Sequence, residues 1–157
     1  MFLDHFGSLF NPNTIKGKKI CEIGSGSGRI ISMLLKFKPK IIYSIEPSIA
    51  GYLKIKKNHK GEKKLKIINQ SGENFTSPLK FDFIFSIGVL HHIKEPSDVI
   101  KNAKKYLKKN GKLIIWVYGY ENNLMYICFY KLLSIFTKMM PDKILDFVSS
   151  FLNLLIE

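Results

Sequence analysis

The segment that most constrains this chain is Lys19 to Ile23 (KICEI), a short apolar run that stops abruptly in Gly24-Ser25-Gly26-Ser27-Gly28. A run of that length bounded by glycine reads as a buried strand, and Ile30, Ile31, Met33, Leu34 and Leu35 after it read as a helix. Three glycines in five residues let the backbone turn sharply and leave space for a ligand to approach it, space that a Cβ would fill. The alternative for such a loop is a tight strand-to-helix turn with no ligand.

The alternation continues. Ile41 to Ile45 is a second strand, and Ser48 caps a helix that runs through Tyr52, Leu53, Ile55 and a lysine-rich face to about Lys60. Leu65 to Asn69 and Phe81 to Ile87 are the third and fourth strands. Pro96 opens a helix carrying Val99, Ile100, Ala103, Tyr106 and Leu107, Asn110-Gly111 closes it, and Lys112 to Tyr118 is the fifth strand. Five near-continuously apolar strands joined by helix-length crossovers predict an α/β fold, a doubly wound parallel sheet covered on both faces. The prediction is one domain over residues 1–157, with a core at about 16–119 and an apolar helical tail at about 120–157.

The 25 basic residues outnumber the 12 acidic ones, and all but Arg29 are lysines. Residues 1–112 hold 22 basic against 8 acidic, a net of +14, while the remainder is nearly neutral. A lysine and isoleucine bias of composition accounts for this charge as a solvated face. The two cysteines, Cys21 and Cys128, read as free thiols, no Cys/His ligand spacing occurs, and no metal is expected, so the cytoplasm is the expected compartment. The N-terminal MFLDHFGSLFNPN has neither a positive leader nor an uninterrupted apolar run, so a signal peptide is not expected. Leu124 to Met140 is interrupted by Lys131 and Lys138, which makes a lid or a peripheral membrane contact a better expectation than a span.

Spacing narrows the ligand. A dinucleotide loop counted from Gly24 and Gly26 needs its third glycine at position 29, where Arg29 stands; the third glycine here is Gly28, preceded by Glu22 at the end of the strand. With that pattern the sequence resembles the class I S-adenosylmethionine-dependent methyltransferases, over about Lys16 to Gly119. Four further segments follow in that family's order: IYSIEPS, Gln70 to Phe75, FDFIFSIGVLHHI and YLKKNGKLIIWV. The resemblance implies a Rossmann-like sheet of strand order 3-2-1-4-5 and S-adenosyl-L-methionine as cofactor. The family's usual sixth and seventh strands are not evident, as in a C-terminally truncated member, and an unguarded fifth strand would invite self-association.

By resemblance, Glu22, Gly24, Ser25, Gly26 and Gly28 form the cofactor loop, and Glu46 with Pro47 holds the ribose. A carboxylate at a strand end suits a diol, although a helix-dipole role for Glu46 is the alternative. Ser71, Gly72 and Glu73 fall at the adenine, and Ser86, Ile87 and Gly88 at the methionine end. His91 and His92 sit where an acceptor arrives. No residue is assigned as catalytic. The expected reaction is methyl transfer to a small-molecule, lipid or sugar acceptor. A nucleic-acid acceptor is weighed as less favoured, because base reading and stacking call for arginine and exposed aromatics. A catalytically silent cofactor-binding module is the remaining alternative.

Overall fold

The computed structural model describes residues 10–117. Two compact units divide the chain, Met1–Tyr118 and Gly119–Glu157, and every described residue belongs to the first. The helices expected of the tail, its membrane contact and Cys128 lie outside the described residues.

Five parallel strands form the sheet: β1 Lys19–Ile23, β2 Ile41–Ile45, β3 Leu65–Ile68, β4 Phe81–Ile87 and β5 Leu107–Trp116. Their spatial order is β3-β2-β1-β4-β5, so chain order reverses between β1 and β4, and the crevice beyond their carboxyl ends is where such sheets hold ligands. Helices α1 (Arg29–Lys36), α2 (Ile49–Asn58) and α3 (Pro96–Tyr106) make the crossovers. The Ser48 hydroxyl caps α2 by accepting from the Gly51 N–H.

Strand alternation sends side chains to two separate cores. On one face Ile20, Ile42, Phe83 and Phe85 meet Ile30, Ile31 and Leu34 of α1 and Ile55 of α2. On the other, Cys21, Ile23, Tyr43, Ile45 and Ile84 meet Phe75 and the α3 residues Val99 and Ala103. Each fully buried side chain of this kind contributes about 1.5–3 kcal/mol. Ile55 is the only buried residue of α2, which leaves that helix's lysines in water.

The fifth strand departs from its expected bounds of 112–118. It begins at Leu107, paired with Phe81, and its next partner pair is Phe83 with Lys112, so two steps on β4 face five on β5. Lys108 to Gly111 therefore bulges out, and the Asn110-Gly111 turn lies inside the strand rather than ahead of it. Asp82 fastens the bulge to β1: one carboxylate oxygen accepts from Lys108 Nζ at 2.8 Å and the other from the Lys19 N–H at 2.8 Å.

Candidate active site

The loop from Gly24 to Gly28 leaves β1 at the reversal point. All three of its glycines have positive φ, at 77°, 54° and 85°. The three differ in what a side chain would meet. A Cβ on Gly24 would run into the Val89 methyls, and one on Gly28 would lie 2.8 Å from His59 Cε1, so these two are required by packing. A Cβ on Gly26 meets nothing within 4 Å. Gly26 alone of the three turns its bare face to open space, which is where a ligand would lie.

Two carboxyl groups end the strands beneath this loop. Glu46 is 6% exposed; its Oε2 accepts from the Gly26 N–H at 2.7 Å and its Oε1 from the Ser48 N–H at 3.0 Å. Each carboxylate oxygen has a second lone pair, so Glu46 holds the loop and still has acceptor capacity for a diol. Glu22 is 1% exposed and its Oε2 has no hydrogen-bond partner. Burial pushes its carboxyl up to about 8, a hydrogen bond from Ser25 opposes this, and the charge of Glu46 adds to it. Glu22 therefore carries a proton at neutral pH. Between the two, Ser44 donates to Ser25 Oγ at 2.8 Å, and Ser25 Oγ donates to the Glu22 carbonyl at 3.4 Å.

The remaining expected residues spread over two sides of the crevice. Asn69 Nδ2 donates to the carbonyls of Glu46 at 2.8 Å and Pro47 at 2.9 Å, which fixes the turn after β2. Ser71 is half-buried and Glu73 exposed, but Gly72 is buried: a Cβ there would press on Ile23 and Val99, and its carbonyl accepts from Asn102. Gly72 thus serves the packing of α3. Ser86 is 1% exposed and its Oγ has no partner; it lies in an apolar lining with Ile23, Leu90, Val99 and Ala103. Ile87 and Gly88 are half-buried at the end of β4, and the Gly88 N–H donates to the Trp116 carbonyl. His91 and His92 are exposed on the turn after β4, with ring centroids 4.0 Å apart. Partial desolvation, then the neighbouring His92, holds His91 below the usual histidine value.

Ser44, Asn69 and Val89 escaped sequence reasoning. Ser44 sits inside an apolar strand run, and only the break it makes in IIYSI marks it. Among the described residues no group of three or more His, Cys, Asp or Glu side chains is placed to hold a metal.

Residues 2–133 match the family described as Methyltransferase domain. The chain belongs to that family. Its fold is shared with an S-adenosylmethionine-dependent methyltransferase from Mesorhizobium loti (TM-score 0.58, 14% identity, covering 64% of this chain and 47% of that one). It is shared equally with the N-methyltransferase NodS of Bradyrhizobium japonicum, solved with S-adenosyl-L-homocysteine (TM-score 0.59, 19% identity, 64% and 52% covered). Fold and loop together are those of an S-adenosylmethionine-dependent methyltransferase.

Among curated relatives, tRNA U34 carboxymethyltransferase of Campylobacter fetus is 30% identical over 105 residues, 64% of this chain and 36% of that protein. The enzyme of the same name from Helicobacter pylori is 31% identical over 114 residues, 67% and 42% covered. The chain spans about two-fifths of the length of these relatives. They correct the expectation that nucleic acid is an unlikely partner. That expectation used the shortage of arginine against base reading, whereas affinity for nucleic acid comes largely from phosphate contacts, which lysine makes as well.

Proposed function

We propose that this chain is the donor-binding domain of an S-adenosylmethionine-dependent methyltransferase whose acceptor is a transfer RNA. The similarity to relatives named for tRNA carries the choice of acceptor. The open face of Gly26 above the Glu46 carboxylate supports the choice of donor.

S-adenosylmethionine, when bound, supplies a methyl group already activated on sulfur, so the protein's task is alignment, worth about 7–11 kcal/mol in well-oriented reactions. Gly24, Ser25, Gly26 and Gly28 shape the loop that receives it, and Glu46, with Pro47 held behind it by Asn69, accepts from the ribose hydroxyls. Glu22, protonated, stiffens the floor without placing a second negative charge beside Glu46. Ser71 and Glu73 border the adenine side, and Ser86, Ile87 and Gly88 the methionine side. His91 and His92 face the arriving acceptor, and the lowered basicity of His91 keeps it neutral at physiological pH, the form that accepts a proton.

Incubation with isotopically methyl-labelled donor and either unfractionated tRNA or a protein-free extract of lipids, sugars and metabolites tests this reading. Label entering tRNA supports it. Label entering only the extract overturns the RNA acceptor, and label entering neither overturns the activity of this chain.

A further inference from the structure

Charged groups of the described residues stand at both ends of the sheet. Glu22, Glu46, Glu73, Glu95 and Asp98 stand at or beyond the carboxyl ends of strands, while Glu62 and Asp82 stand at the amino ends, before β3 and at the start of β4. At those amino ends five exposed lysines come together: Lys16 and Lys18 before β1, Lys36 in the last turn of α1, and Lys38 and Lys40 between α1 and β2. The loops are fastened by their backbones, since the Gly17 N–H donates to the Lys38 carbonyl at 3.0 Å and the Lys40 N–H to the Lys18 carbonyl at 2.8 Å. The backbone that carries the cluster is therefore held in place.

Ion pairs among the described residues join Lys101 to Asp98 and Lys108 to Asp82, and none of the five lysines takes part. Lys18 feels Asp82 only at longer range. One of the five stands where a lysine is costly. Lys38 follows the C-cap of α1 with φ of 53°, the left-handed position at which helices ordinarily place glycine. A side chain there costs about 1–2 kcal/mol. A solvated face produced by composition gives no reason for that placement, whereas a ligand that needs the charge does.

We propose that these two loops dock the phosphate backbone of the RNA acceptor. The array lies roughly 20 Å from the glycine loop, six residue steps along β1 of about 3.3 Å each. It would hold the acceptor at a distance from the reacting base, in keeping with phosphate contacts that position and do not read sequence. An anionic membrane is the weaker occupant. The large exposed apolar side chains of the described residues are Ile49, Leu53, Ile100, Ile115 and Val117, and none is on these loops, whereas surface insertion needs an apolar face. The inference rests on the RNA reading above but is tested separately from it.

The test is tRNA binding by the full chain, followed by fluorescence anisotropy over a range of salt. One variant carries glutamine at Lys16, Lys18, Lys36, Lys38 and Lys40; a control carries it at Lys54, Lys56, Lys57, Lys94 and Lys101. Both lower the formal charge from +13 to +8, that is, 13 minus 5. The loop variant is expected to lose at least tenfold in affinity, and its slope of log K against log salt is expected to fall by about 4, at roughly 0.7–0.9 per phosphate. The control should keep its slope to within about 1. S-adenosylhomocysteine binding reports that the loop variant is folded; should it not fold, Lys38→Gly alone should lower the slope by about 1. Equal losses in variant and control overturn the docking surface. So does a loop variant that binds and methylates tRNA like the parent, an outcome that leaves the acceptor reading standing. A parent that ignores tRNA but sediments with phosphatidylcholine/phosphatidylglycerol vesicles overturns both.

Discussion

Glu22→Gln exchanges a buried carboxyl for an amide of the same shape, and so separates the proton on Glu22 from its packing. In the folded chain the Glu22 carboxyl holds its proton up to about 8, against an ordinary value of 4.5. Burial is the main cause; the hydrogen bond from Ser25 opposes it and the charge of Glu46 reinforces it. Between those two pH values the folded state binds more protons than the unfolded one, so stability must fall as pH rises. The loss begins near the unfolded value and is complete above the folded one. At about 1.4 kcal/mol per unit, the full span is worth about 5 kcal/mol. That is a ceiling, because the glycine loop can open and hydrate the carboxylate instead. Urea unfolding from pH 5 to pH 9 reads it directly. The parent should lose several kcal/mol over that range, while Glu22→Gln should match the parent at pH 5 and exceed it at pH 9. Cys21, whose buried thiol is also pushed up, is common to both proteins and largely cancels in the difference. Parallel curves for the two proteins would refute the buried proton and the role of Glu22 as an uncharged floor.

Three further outcomes follow from named contacts. Glu46→Ala removes the acceptor of the Gly26 and Ser48 N–H groups as well as the ribose partner, so calorimetry should record a loss of about 1.5–3 kcal/mol in donor affinity together with a lower melting temperature. Unchanged affinity with lowered stability would leave Glu46 only its loop contacts. Lys38→Gly relieves a left-handed side chain and should raise stability by about 0.5–1 kcal/mol in urea melts while weakening RNA binding, a combination that a passive surface lysine would not give. Asp82→Asn breaks a partly exposed bridge to Lys108 and should cost no more than about 1 kcal/mol at neutral pH. Burial raises the Asp82 carboxyl, but hydrogen bonds from Lys108 and the Lys19 N–H outweigh it and hold it below its usual value, so the gap to the parent should close as pH falls through that lowered range.

Strands β1, β2 and β4 were legible to the residue because they are buried on both faces, and continuous apolar runs bounded by glycine or polar turns have no competing reading. Strand β5 was not, because Asn110-Gly111 is a true turn signal that the chain uses for a bulge, and only pairing with β4 reveals the strand resuming on either side. In the candidate site, the positions of Gly26 and Glu46 beyond their strand ends follow from spacing along the chain. The different duties of Gly24, Gly26 and Gly28 do not, since they depend on Val89 and His59, which come from distant segments. The lysine array was equally hidden. Its members read as a diffuse compositional charge until the hydrogen bonds between Gly17 and Lys38 and between Lys40 and Lys18 draw them onto one surface.

The proposed donor site places the methyl donor on the Gly24–Gly28 loop, against the open face of Gly26. Calorimetry of S-adenosylhomocysteine with the parent and with Gly26→Ala tests it without knowledge of any acceptor. The added methyl meets no protein atom within 4 Å, so the variant should stay folded at the cost of backbone strain at φ of 54°. Saturable one-to-one binding is expected of the parent and at least tenfold weaker binding of Gly26→Ala, with its circular dichroism spectrum retained. Equal affinity in the two proteins, or no binding by the folded parent, would contradict it.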